Sequence, residues 1–215
     1  MVPERPSLEK RVLSALDGSA GGGPRIPVVL GGCGSGRTSL LLRLRDLIGR
    51  TQAQYVDVER IATTPERFLD ALRESSPFPG LPGYASAGST ESGARDAFDA
   101  ALAFLDTARA PVMAPATFLL DEFLELRTFE SFPGLRSVLR DLLGALAQSG
   151  NRFVLTTRYA ARAHRLLRDA PAQFEIIHVA PLTAAEIRET LQDAHADDLV
   201  RRPGDAVEEI DRQRD

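Results

Sequence analysis

The stretch Ile26-Pro27-Val28-Val29-Leu30-Gly31-Gly32-Cys33-Gly34-Ser35-Gly36-Arg37-Thr38-Ser39-Leu40 reads as a buried strand, a glycine-rich turn and the opening of a helix. From Gly31 to Thr38 its spacing matches G-x-x-x-x-G-K-[ST], a loop whose backbone cradles phosphate, except that Arg37 stands at the lysine place. Glycines are needed there because several backbone N–H groups must converge on phosphate oxygens in dihedral regions that a side chain would forbid. A helix starting near Arg37 aims its unsatisfied N–H groups, and the positive end of its dipole, at the same anion. The candidate phosphate-binding residues are therefore Gly31, Gly32, Cys33, Gly34, Ser35, Gly36, Arg37, Thr38 and Ser39. Two competing readings fit less well. An exposed Gly/Ser linker would not be flanked by an apolar strand and by Leu40-Leu41-Leu42. A dinucleotide fingerprint would need a third glycine where Arg37 stands.

On these residues the chain resembles the P-loop nucleoside triphosphatases. The resemblance implies a nucleotide, ATP, bound with Mg²⁺, and gives Thr38 the role of placing a hydroxyl on the metal. The departure at Arg37 matters as much as the match. Lysine delivers a compact ammonium to the terminal phosphates, whereas guanidinium is planar, wider and able to grip two oxygens at once. Arg37 can support binding while misplacing charge in the transition state. Lys10 is the only lysine in the sequence, so drift toward arginine is an alternative explanation of the substitution.

A chain of 215 residues with 43% hydrophobic content can bury one sizeable core. The formal charge of −4 gives no clear nucleic-acid signal. Cys33 is the only cysteine, which rules out an intrachain disulfide and makes a reducing compartment the simpler assumption. Inside the phosphate loop its thiol is either a modification point or a small filler. The polar start Met1–Lys10 is no secretory signal, and no apolar run is long enough for a bilayer. The expectation is a soluble, cytoplasmic protein without a membrane partner.

Along the chain, helical spacing marks Ser7–Asp17, Thr38–Ile48, Pro65–Glu74, Ala94–Ala108, Leu135–Leu146 and Tyr159–Arg168. Strands are expected at Gln54–Val58, Ala116–Asp121, Arg152–Arg158 and Phe174–Val179 besides the first. Ser75–Gly93, rich in Ser, Pro and Gly, reads as a mobile insertion. Thr183-Ala184-Ala185-Glu186 has the pattern of a capping box opening another helix. The histidines His164, His178 and His195 lack ligand spacing, and no G-x-S-x-G elbow is present.

The run Ala116-Thr117-Phe118-Leu119-Leu120-Asp121, followed at once by Glu122, looks like a central parallel strand delivering carboxylates to its C-terminal edge. It is similar to the second nucleotidase motif, which implies that Asp121 holds Mg²⁺ and that Glu122 acts as general base on the attacking water. The ending Thr156-Thr157-Arg158 is similar to that of the additional-strand ATPases, particularly the STAND branch of the AAA+ assemblage (NACHT and NB-ARC relatives). That resemblance gives Thr157 or Arg158 a contact with the terminal phosphate or its water; the alternative is a helix cap and a surface arginine. It implies a three-layer α/β domain over residues 1–182 with a five-stranded, mainly parallel sheet in the order 5-1-4-3-2. Residues 183–215 would be a truncated or reduced helical lid. The function expected is a Mg-ATP-binding ATPase with slow hydrolysis driving a conformational or assembly switch, with a homo-oligomer or protein as partner. The alternatives are a non-hydrolysing scaffold and a small-molecule kinase. The row Arg162, Arg165, Arg168 reads as a solvated face, with a trans-acting arginine for a neighbouring subunit as the other possibility.

Overall fold

Alternation along four apolar strands sorts the core into two layers. In the computed structural model, which describes residues 5–19, 21, 23–79, 93–180 and 188, the strands are β1 (Ile26–Leu30), β2 (Ala53–Asp57), β3 (Thr117–Asp121), β4 (Arg152–Thr157) and β5 (Phe174–His178). Side chains of successive strand residues leave opposite faces. Val28, Leu30, Phe118, Leu120, Phe153 and Leu155 accordingly line one face, and Val29, Leu119, Val154 and Ile177 the other. The second face is covered by α1 (Pro6–Asp17) and α2 (Arg37–Ile48), through Val12, Leu16, Leu40, Leu41 and Leu44. The first is covered by α4 (Pro65–Glu74), α5 (Ala94–Thr107), α6 (Val138–Gln148) and α7 (Ala160–Leu167), with α3 (Val58–Ile61) at its margin. Burial on both faces is why these strands are continuous apolar runs rather than alternating ones.

All strand pairings are parallel, in the order β2-β3-β4-β1-β5. This is the expected order 5-1-4-3-2 read from the other edge, with β4 inserted between β1 and β3. Because every strand runs the same way, Leu30, Asp57, Asp121 and Thr157 all end on one edge. The register sets Leu30 opposite Thr157 and Asp57 opposite Asp121.

Several boundaries differ from expectation for local reasons. The second strand stops at Asp57 and not Val58, because the Asp57 carboxylate accepts from the Arg60 N–H at 3.2 Å and caps α3. Thr64 caps α4 in the same manner, with Pro65 at its first position, as the Thr-Pro-Glu pattern predicts. The sixth helix begins at Val138 and not Leu135, since the chain after the 3-10 segment Phe123–Ser131 turns through Gly134 at φ 80° and the Leu135 N–H donates to the Phe132 carbonyl in that turn. At the start of the expected insertion, Phe78 is buried and sets its ring edge-on to Phe118 at 5.3 Å. Residues 80–92, and the expected lid over 183–215 except Arg188, lie outside the described residues.

Candidate functional site

Beyond Leu30 the chain turns through the glycines into α2. Gly34 and Gly36 adopt φ of 70° and 83°, which L side chains disfavour. A Cβ on Gly31 would lie 2.5 Å from the Ser35 hydroxyl oxygen, so the loop closes on itself there. A Cβ on Gly32 or Gly34 would meet nothing within 4 Å, so the backbone presents an open face at these residues. Gly36 is the N-cap of α2 and no side chain caps the helix, which leaves its first N–H groups for another acceptor. Cys33 is exposed on the loop, Ser35 is buried, and Ser39 is half-buried on the first turn.

The Arg37 side chain folds back over this loop. One terminal nitrogen donates to the carbonyls of Gly31 and Gly32 and, at 3.1 Å, to the Ser35 hydroxyl. The other donates to Glu122 Oε1 in an ion pair whose side chains are 9% and 8% exposed. The buried Nε has no partner among the described residues. Thr38 donates its hydroxyl proton to Asp121 Oδ2 at 2.6 Å. The loop and the paired acids are thus directly connected, by a cation to one acid and by a hydroxyl to the other.

Asp121 collects two further hydroxyls. Tyr55 donates to Oδ2 at 3.0 Å, and Thr156 donates to Oδ1. Burial, and then the adjacent Asp121 charge, push the Tyr55 phenol well above the ordinary tyrosine range. Thr156 in turn accepts from the Glu122 N–H at 3.1 Å. Glu122 itself has φ 53° and ψ 45°, an unusual left-handed conformation for a residue with a side chain. It carries the carboxylate out of the strand direction, where Oε2 accepts from the Arg158 N–H at 3.0 Å. The Arg158 guanidinium grips both oxygens of Glu59 at 2.8 Å and reaches Glu125 at 3.3 Å. It lies 4.0 Å from Glu122 Oε1. The Glu59 pairing holds that carboxyl below its usual range.

Of the residues picked from sequence, Arg37, Thr38, Asp121, Glu122 and Arg158 meet at one edge of the sheet. Thr157 does not touch the acids; its hydroxyl accepts from the Tyr159 N–H at 3.2 Å at the approach to α7. Thr156 is the hydroxyl that contacts both acids, and it was passed over in favour of its neighbour. The strand register places it there, because Leu120 pairs with Leu155 and the next residues on each strand are Asp121 and Thr156. Tyr55 was also missed, although it lies two residues before Asp57, the partner of Asp121. His164 and His178, isolated in sequence, stack with ring centroids 5.3 Å apart, while His195 lies outside the described residues.

The donor set fits a hard divalent cation. Mg²⁺ takes one or two protein oxygens and completes its shell with water and phosphate, and Thr38 and Asp121 supply a hydroxyl and a carboxylate within 2.6 Å of each other. Among the described residues no group of three or more His, Cys, Asp or Glu converges as a dedicated metal cage. The orphan Arg37 Nε and the uncapped start of α2 fit an anion beside that cation.

No protein-family model matches the sequence, and no curated protein matches it. Solved structures do match. The Orc1 protein of Aeropyrum pernix in complex with DNA superposes with a TM-score of 0.61 at 18% identity, covering 92% of this chain and 50% of that one. A Walker-type ATPase of Pyrococcus abyssi gives 0.64 at 15% identity, covering 91% and 59%. Drosophila ORC bound to DNA gives 0.54 at 16% identity, covering 89% and 48%. The chain spans about half to three-fifths of the length of these structures. At such identities the likeness is one of fold: an α/β P-loop NTPase domain with an all-parallel five-stranded sheet.

Proposed function

We propose that the chain binds Mg-ATP at the loop Gly31–Ser39, hydrolyses it slowly, and uses the nucleotide state to reposition the segment following β5 or a partner. The observation that carries this reading is the convergence of Arg37, Thr38, Asp121 and Glu122 on one strand edge beside an open, glycine-lined backbone. Thr38 and Asp121 would hold Mg²⁺, which when bound supplies charge neutralisation at the phosphate oxygens. The loop N–H groups and Arg37 would hold the phosphates. Glu122 would accept the proton of the attacking water, and Arg158 would report the terminal phosphate by leaving Glu59. Calorimetric titration of the folded protein with Mg-ATP tests the reading: saturable binding is expected, and its absence defeats it.

A second reading, a nucleotide-dependent switch without turnover, is favoured by one specific contact. Glu122 Oε1 is already held by the Arg37 guanidinium and Oε2 by the Arg158 N–H, so both oxygens are engaged before any water arrives. Phosphate release by the parent, abolished in Glu122→Gln, supports the ATPase; a silent parent that Arg37→Lys activates supports the switch. The row Arg162, Arg165, Arg168 on and just beyond α7 would serve a homo-oligomer, where an arginine supplied to a neighbour's site can raise turnover by orders of magnitude. Two of the similar structures are DNA complexes, so duplex DNA is the first macromolecule to titrate. Binding carried by arginine contacts to phosphate would weaken with salt in proportion to the number of those contacts, against a formal charge of −4 that itself favours no such binding.

A further inference from the structure

The ion pair between Arg37 and Glu122 commits both groups on which the proposed nucleotide site depends. One terminal nitrogen of Arg37 is spent on the carbonyls of Gly31 and Gly32 and on Ser35, and the other on Glu122 Oε1. Glu122 Oε2 is spent on the Arg158 N–H. The side chains of Arg37 and Glu122 are both more than nine-tenths buried. A terminal phosphate approaching Arg37 therefore meets a cation that already holds an anion of its own chain.

We propose that Glu122 is an internal stand-in for the terminal phosphate, so that Arg37 and Glu122 together make the site discriminate triphosphate from diphosphate. The inference rests on the nucleotide-binding reading above. Removing one partner from a buried ion pair is costly because it leaves an uncompensated charge, whereas exchanging one anion for another keeps the cation paired. A diphosphate brings no group to replace the carboxylate and leaves the pair closed. A triphosphate brings one, takes the second terminal nitrogen of Arg37, and releases Glu122 Oε1. The base becomes available only when there is a terminal phosphate to attack. The planar guanidinium suits this exchange, because its two terminal nitrogens are separate donors. One stays on the loop carbonyls while the other changes partner. A lysine ammonium, a single point charge, has no such division.

The test compares Mg-ADP with Mg-AMP-PNP by calorimetry on the full chain. Glu122→Gln removes the competing charge at nearly constant shape. It is expected to tighten AMP-PNP by about tenfold and to change ADP by less than about twofold. Equal effects on the two ligands, or an unchanged ratio, overturn the inference. Glu125→Gln removes a carboxylate from beside Arg158 and none from Arg37; it keeps the parent's ratio, and a rise as large as that of Glu122→Gln would reduce the effect to plain charge repulsion and overturn the inference. If neither ligand binds the parent or Glu122→Gln, the nucleotide reading itself fails and this one falls with it. An independent arm needs no ligand: thermal midpoints of the parent, Arg37→Gln, Glu122→Gln and the double variant. The double variant is expected to lose less than the sum of the singles, and strict additivity overturns the pairing.

Discussion

Asp121 and Glu122 are neighbours in sequence and opposites in surroundings. Asp121 ends β3 on the face shared with α2, and three neutral hydroxyls, those of Thr38, Tyr55 and Thr156, donate to it. Glu122 leaves the strand through a left-handed residue and is met by a guanidinium and a backbone amide. Hydroxyls orient a carboxylate without cancelling its charge. A guanidinium orients and cancels at once. Two adjacent acids are thereby given different surroundings, one hydrogen-bonded with its charge uncancelled and one held in an ion pair.

The largest effect expected on this contrast comes from Asp121→Asn, which keeps the shape and removes the charge. Even partners outside a metal's first shell are worth up to about a hundredfold in metal affinity. A loss of that order or more is expected in Mg²⁺-dependent nucleotide affinity, read as the difference between titrations with Mg²⁺ and with chelator. An equal loss in chelator would assign Asp121 a purely structural role. Next comes Arg37→Lys, which replaces the shared cation with one that cannot serve loop and acid separately. Turnover is expected to rise about a hundredfold, the lower end of what one preorganised donor at developing charge supplies. Phosphate release under single-turnover conditions checks it, and a fall in rate would reverse our reading of the arginine.

A smaller effect separates the hydroxyls. Tyr55→Phe removes one of three donors to Asp121 and is expected to cost about 1 kcal/mol of stability. It also changes the alkaline limb. The folded Tyr55 phenol titrates above the unfolded one, so its contribution is complete below the unfolded value near pH 10 and declines as pH rises beyond it. Denaturant midpoints above about pH 10 should therefore fall less steeply in Tyr55→Phe than in the parent. A parallel decline would locate the alkaline loss elsewhere. Least of all, Glu59→Gln should cost no more than about 0.5 kcal/mol, because the Glu59 side chain is 51% exposed and such pairs contribute little. A larger loss would mean that Arg158 is an anchor for Glu122 and not a movable contact.

The layers of the fold were legible because burial on both faces writes itself into a sequence. Val28-Val29-Leu30, Phe118-Leu119-Leu120 and Phe153-Val154-Leu155 each send residues to both sides of the sheet, and each read as an apolar strand. Loop spacing likewise announced Gly34 and Gly36, since positive φ is a demand on residue type. What stayed hidden was pairing across the edge. Whether Thr156 or Thr157 faces the acids depends on a one-residue register that apolar content does not encode, because Thr156 and Thr157 are both fully buried. The Arg37 conformation was equally illegible: a long side chain chooses between a ligand and an acid 85 positions away, and spacing along the chain is silent on that choice. The 3-10 segment Phe123–Ser131 lacked the 3.6 period that reveals an α-helix.

The packing at Gly31 has a mechanical consequence. A side-chain carbon there would press on Ser35 and come within 3.3 Å of the Val179 Cβ, and the Val179 N–H donates to the Leu30 carbonyl at 2.7 Å. The first residue of the loop and the first residue past β5 thus lie so close that only a residue without a side chain fits between Ser35 and Val179. Any larger residue at Gly31 is expected to displace the phosphate loop and the exit from β5 together.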